Sequence, residues 1–185
     1  MKLPIVKYGN PILRAKGKPI EQVDERIRAL AADMLETMHA ANGIGLAAQQ
    51  VGAALQLTVL DVSQVEDRPS TMRLNGDKID PATAMPLILL NPKLVLDEEI
   101  VSGNEGCLSF PDINADIDRA VSVRVEAETL EGETVQIEAA GLLARALQHE
   151  IDHLNGILFI DRMSSVAKAS LGSRLKRLQK ETLKG

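Results

Sequence analysis

"GLLARALQHEIDHLNG", residues 141–156, is the stretch on which the reading of this chain turns. It reads as a helix that ends near Asn155-Gly156. Inside it lies an H-E-x-x-H pattern formed by His149, Glu150 and His153. Positions i and i+4 of a helix lie about 40° apart and about 6 Å along the axis, so both imidazoles can reach one metal ion. Glu150 is turned about 100° from His149, beside such a metal, where a carboxylate can take a proton from water. The bland alternative is an exposed helix that happens to carry two histidines. Two of the chain's three histidines fall here, however, among Leu142, Leu143, Leu147, Ile151 and Leu154. Imidazoles on a largely buried helix need a polar reason to be there.

Two histidines do not complete a catalytic metal site, which typically uses three protein ligands and keeps one position open. After His153 the next acids are Asp161 and Glu181, and no histidine follows. Upstream, "NEGCLSF" (104–110) holds the only cysteine, Cys107, which cannot form an internal disulfide. A thiolate is a strong ligand for zinc or ferrous iron. Cys107 as small buried filler is the alternative; the incomplete histidine pair favours the ligand.

Outward from this helix, "DERIRALAADMLETMHAAN" predicts a second one, with Ile27, Leu30, Met34, Leu35 and Met38 on one stripe, Asp24 as N-cap and Asn42-Gly43 as the stop. "GIGLAAQQVG" is glycine-punctuated and not regular helix; taken alone it reads equally as a linker. "LQLTVLDV" (55–62) alternates as a strand. Residues 63–85 read as a long polar surface loop. "PLILLNP" is a short strand closed by Asn91-Pro92, and "KLVLDEEIV" is another. "AVSVRVEAETLEGETVQIEA" is a hairpin turning at Glu131-Gly132, with Val121, Val123 and Val125 facing Val135 and Ile137. "ILFID" is a short extended piece. Residues 164–183 form a C-terminal amphipathic helix, with Ala167, Leu171, Leu175 and Leu178 on its stripe. The expected fold class is α+β: mostly antiparallel strands around a central helix carrying HEIDH, with a C-terminal helix, in one domain spanning 1–185.

At 185 residues and 45% hydrophobic content, with no Trp, one Tyr and two Phe, the core must be aliphatic. No apolar run approaches the roughly 18 residues of a membrane span, and the amino terminus lacks a secretory h-region. With a single cysteine, a reducing, cytoplasmic setting is expected. The net charge of −5 argues against bulk nucleic-acid binding. Residues 162–185 nevertheless hold seven basic residues and one acid, +6, which leaves −11 on the rest.

Three motifs taken together resemble one family. "GIGLAAQQ" (43–50), "EGCLS" (105–109) and "QHEIDH" (148–153), in this order, are similar to the signatures of bacterial-type peptide deformylases. "VKYGNPILR" near the amino terminus looks like the same family. The resemblance implies hydrolytic removal of the formyl group from N-formyl-methionyl nascent peptides. It implies Cys107, His149 and His153 as ligands of one divalent ion, Fe²⁺ in the cell with Zn²⁺, Ni²⁺ or Co²⁺ able to replace it. Glu150 is then the acid–base residue, and Gln50 and the Leu108 N–H face the oxyanion. Gly43 and Gly45 lie along the substrate backbone. Ile44, Leu142 and Ala146 are the expected wall of a methionine pocket, although ordinary core accounts for the last two equally well. Arg145 shares this face at i−4 from His149, a position where some members carry an aliphatic residue; its stem is expected along the pocket and its head at the mouth. Glu105 and Arg119 match positions expected to pair and brace the cysteine loop, with a surface charge pair as the alternative. An H-E-x-x-H endopeptidase and a non-catalytic peptide-binding module are competing readings, and the presence of Glu150 and a full ligand set speaks against the second. The basic outer face of the C-terminal helix, Lys176, Arg177, Lys180 and Lys184, is either solvated or a docking face for ribosomal RNA. A monomer and no membrane contact are expected.

Overall fold

Gly141 ends a strand and begins the helix that the rest of the chain surrounds. Its φ is 74°, and a Cβ there would lie 2.2 Å from the Pro69 carbonyl oxygen. Glycine alone accepts both, so the chain turns directly from strand into helix. All 13 residues of that helix, Leu142–Leu154, are buried.

The structure, a computed structural model, describes residues 1–185. In chain order it comprises a 3-10 turn at Pro11–Arg14, helix α1 (Glu25–Ala40), strand β1 (Gly45–Ala47), a 3-10 turn at Ala48–Val51, and β2 (Leu57–Leu60). Then come β3 (Ser70–Leu74), β4 (Asp77–Ile79), the short helix α2 (Pro81–Ala84), β5 (Leu87–Leu96), β6 (Ile100–Cys107) and β7 (Phe110–Ala120). The carboxyl-terminal part holds β8 (Ser122–Glu128), β9 (Thr134–Gly141), α3 (Leu142–Leu154), a 3-10 turn at Phe159–Arg162, α4 (Ser165–Ser170) and α5 (Gly172–Lys184). Seven strands form an antiparallel sheet in the order β1-β2-β5-β8-β9-β3-β4. Strands β6 and β7 pair separately as an antiparallel hairpin. This is the expected α+β architecture with α3 at its centre.

Aliphatic packing places α3. Leu143, Leu147 and Ile151 bury against Leu60, Leu89, Val125, Ile137 and Ala139 of the large sheet. On a second part of the sheet, Met34 and Met38 of α1 meet Leu46, Leu57, Val59 and Leu90. Asp24 caps α1 as expected, accepting the Ile27 N–H at 3.0 Å. The three aromatic residues gather in one place: Tyr8 stacks on Phe110 at 4.8 Å, and Phe110 meets Phe159 edge-on at 5.0 Å. Leu175 of α5 is buried in that same cluster, with Ala167, Leu171 and Leu178 packed on it.

Four local expectations are corrected. Residues 63–85 are not one loop: β3 and β4 form a hairpin on the Asn75-Gly76 turn, where both φ values are positive (51° and 90°). Asn-Gly is the dipeptide that such a two-residue turn favours. Strand β3 then pairs with β9 and buries Met72. Asn91-Pro92 does not end a strand; β5 runs through it with a register shift between Leu90 and Lys93. Asn91 takes φ 50°, and its side chain bonds both backbone groups of Ile20 at 2.8 Å. A bulge tolerates proline because no ladder N–H is required there. Residues 159–162 are a 3-10 turn and not extended. The C-terminal helix is two helices that meet at Leu171, the first capped by Ser164, which accepts the Ala167 N–H at 3.1 Å.

Arg14 ties the amino-terminal turn to the turn after α3, donating to Asp161 at 2.5 and 3.1 Å. Partial burial works to raise the Asp161 carboxyl, but Arg14 and the Leu158 N–H outweigh it and hold it below the usual carboxylate range. A lowered native pKa contributes stability that is full above the unfolded value, about 3.9, and is lost as pH falls through the native one. In urea unfolding, Asp161→Asn should therefore lie below wild type at neutral pH, and the gap should close as pH drops below about 4.

Candidate metal centre

Two elements bring the motifs together. Strand β6 ends on Cys107, and α3 carries His149 and His153 on one face. The Cys107 Sγ lies 3.3 Å from His153 Nε2. One donor atom from each of Cys107, His149 and His153 falls within 4.8 Å of the other two. Cys107 is half-buried at the edge of a cavity, not filler in the core. One thiol and two imidazoles form a borderline-soft set that suits zinc, ferrous iron, cobalt or nickel. The three residues thus fit a divalent ion by both distance and donor type.

His149 is oriented from behind. Its Nδ1 faces Glu105 Oε1 at 2.9 Å, which leaves Nε2 toward Cys107 and His153. Phe159 lies beside the ring, with centroids 5.8 Å apart. Glu105 is itself held by Arg119, whose Nε and Nη2 donate at 2.8 and 2.9 Å. Arg119 Nη1 donates to Asp152 at 2.6 Å, and Arg162 donates to the same carboxylate at 3.0 and 3.2 Å. The expected Glu105–Arg119 pair is present and buried; it is not a surface pair. Burial works to raise the Glu105 carboxyl, yet hydrogen bonds from Arg119 and His149 overcome it and hold it at about 2.

Glu150 sits in the opposite kind of environment. Its Oε1 is 3.9 Å from His149 Nε2, and its Oε2 is buried without a hydrogen-bond partner. Burial, only partly offset by His149, pushes this carboxyl up to about 7. Gly45 passes directly over it: a Cβ there would lie 2.8 Å from Glu150 Cγ. Gln50 is held by the Ala47 N–H, which donates to its Oε1 at 2.9 Å. Its Nε2 therefore points at Cys107 Sγ (3.5 Å) and Ser109 Oγ (3.2 Å).

A cavity of about 670 Å³ opens on this centre. Gly43, Ile44, Gly45, Gln50, Cys107, Leu108, Leu142, Ala146, His149 and Glu150 border it. Arg145 borders it too, but its head is not at the mouth. The guanidinium is buried and donates to Glu105 at 2.8 Å. Sequence reasoning missed Lys7, whose Nζ donates to the Leu108 carbonyl at 3.2 Å, and Arg68, which donates to the Asn104 carbonyl at 3.3 Å; both border the cavity. It also missed Asp152 and Ser109. Lys7, Ser109 and Asp152 lie inside the quoted motifs, but each makes its contact with a residue outside its own motif, and Arg68 lies in no motif. A larger hollow of about 750 Å³ lies over β3, β8 and β9 and contains no cysteine or histidine.

These features meet the comparisons with known proteins. The family model for polypeptide deformylase matches residues 2–169. The peptide deformylase of Methylacidiphilum infernorum is 45% identical over 180 residues, covering 97% of this chain and 94% of that protein. That of Acinetobacter baumannii is 43% identical over 180 residues, covering 97% and 93%. The crystal structure of peptide deformylase from Ehrlichia chaffeensis superposes with a TM-score of 0.82 at 35% identity, covering 99% of both chains. That from Thermus thermophilus superposes with a TM-score of 0.81 at 37% identity, covering 98% of this chain and 99% of that one. With the family model matching residues 2–169, relatives aligned over 97% of its length and a fold shared with solved members, the chain belongs to the polypeptide deformylase family.

Proposed function

We propose that Cys107, His149 and His153 hold one divalent metal ion and that Glu150 moves the protons in the family's reaction, hydrolytic removal of the formyl group from the N-terminal formylmethionine of new polypeptides. The observation that carries this reading is the three-donor cluster beside a buried carboxylate with an unpartnered oxygen. When bound, the ion supplies electrophilic activation of the formyl carbonyl and lowers the pKa of water.

The chain's own residues do the rest. Glu150 accepts a proton from the attacking water and returns it to the nitrogen of the departing amine, so that water and the formamide become formate and a free amino terminus. Burial without a donor to its Oε2 raises the basicity of the Glu150 carboxyl, which suits it to take a proton from water and return it to nitrogen. The Gln50 Nε2 is fixed in direction by Ala47 and, with the Leu108 N–H, donates to the oxygen where negative charge develops. Gly43 and Gly45 let the substrate backbone approach the strand edge. Ile44, Leu142 and Ala146 line the apolar side that receives the methionine side chain. Glu105 and Arg119 orient the His149 ring from behind.

Fe²⁺ is our choice of ion on the family resemblance, with Zn²⁺, Ni²⁺ or Co²⁺ as alternative occupants; one thiol and two imidazoles suit all four. The chain is read as a cytoplasmic monomer, and no helix is long and apolar enough to cross a membrane. The exposed Lys176, Arg177, Lys180 and Lys184 support contact of α5 with ribosomal RNA, because Leu175 on the opposite face is committed to the core.

Three outcomes follow from these roles. Formate release from an N-formyl-Met-Ala-Ser peptide should fall about 10²- to 10⁴-fold in Glu150→Ala while metal content is retained. An equal rate in the variant would remove Glu150 from the reaction. Cys107→Ser and His153→Ala should each lose bound metal by elemental analysis of dialysed protein, and a chelator should abolish wild-type turnover until a divalent ion is restored. Reversing Lys176, Arg177, Lys180 and Lys184 to Glu keeps Leu175 in place and should abolish salt-sensitive co-sedimentation with ribosomes. Unchanged co-sedimentation would reject the ribosomal role.

A further inference from the structure

Arg145 has a job that the pocket reading does not explain. Its side chain is 8% exposed. The guanidinium donates to Glu105 Oε2 at 2.8 Å and to three backbone carbonyls: Ile117 at 2.8 Å, Val101 at 2.9 Å and Gly103 at 3.4 Å. Val101 and Gly103 lie on β6, and Ile117 lies on β7. One side chain of α3 therefore grips both strands of the hairpin that carries Cys107. The same Glu105 carboxylate faces His149 Nδ1, one helical turn beyond Arg145.

We propose that Arg145 is a positioning residue for the metal centre. It locks the β6–β7 hairpin and the Glu105 carboxylate to α3, and so sets the distance between the Cys107 and His149 donors. The proposal rests on the metal-site reading given above. The chemistry suits arginine and no other residue. A planar fork with five N–H donors can reach a carboxylate and three carbonyls together, whereas a lysine ammonium has three donors arranged about one point. Gly103 keeps the seat open: a Cβ there would lie 2.9 Å from the Arg145 Cζ. A ligand held by a carboxylate is only as well placed as the carboxylate, and loss of such support typically costs about 10- to 100-fold in metal affinity.

The test is Co²⁺ binding by full-length protein, measured by chelator competition and by the visible absorption of the bound ion, which reports coordination geometry. Arg145→Ala should bind Co²⁺ about 10- to 100-fold more weakly, with a changed spectrum. Its metal-loaded form should show a lower kcat with little change in KM for the formyl peptide. Arg145→Lys should restore part of the affinity. Gly103→Ala leaves every charge in place but displaces the guanidinium; it should show an intermediate loss, and it carries the test if Arg145→Ala does not fold. Wild-type affinity and spectrum in these variants would overturn the proposal, as would a raised KM with kcat unchanged, which would return Arg145 to the substrate. Wild-type protein that binds no Co²⁺ would overturn the metal-site reading itself, and the proposal with it.

Discussion

The Glu105 carboxylate faces four nitrogen groups, two from Arg119, one from Arg145 and one from His149. The geometry of the centre follows from that convergence. Glu105 lies two residues before Cys107 on β6, so the strand that delivers the thiol also delivers the anchor for the opposite imidazole. Buried ion pairs are weak evidence for stability, since desolvation offsets much of the attraction. Their effect here is directional: His149 Nδ1 is turned to Glu105, and β6 is tied to α3 through Arg145.

The two buried glutamates show how one fold sets opposite roles with the same functional group. Glu105 is surrounded by donors and is held at about 2. Glu150 is equally enclosed, has an unpartnered oxygen and rises to about 7. Burial raises both carboxyls, but only Glu105 has arginine and histidine donors that overcome it. A permanently charged carboxylate can orient a ring, while one that titrates near neutrality can exchange protons.

Much of this was legible in the sequence because it is local. The His149–Glu150–His153 spacing, the α1 stripe from Ile27 to Met38 and the β8–β9 alternation each depend on neighbours within a few residues. Cys107 stands out by elimination as the candidate third donor, since no histidine follows His153 and the chain has no other thiol. The β3–β4 hairpin is hidden by the polar composition of residues 63–85, and β5 reads as two strands because Pro92 looks like a terminator unless a bulge accommodates it. Helix periodicity gives the face of Arg145 but not the end point of its guanidinium. Its partners Val101, Gly103 and Ile117 lie 28 to 44 residues away, and its bonds to them go to backbone carbonyls, which leave no mark on residue type.

The complete burial of α3 also decides where the molecule can breathe. Amides of a helix with no solvent-facing side exchange with deuterium chiefly when the whole domain opens. Small fluctuations then fall to less buried segments such as Gly43–Gly45, which borders the cavity. The floor that carries His149, Glu150 and His153 is thereby the last part of the cleft to move.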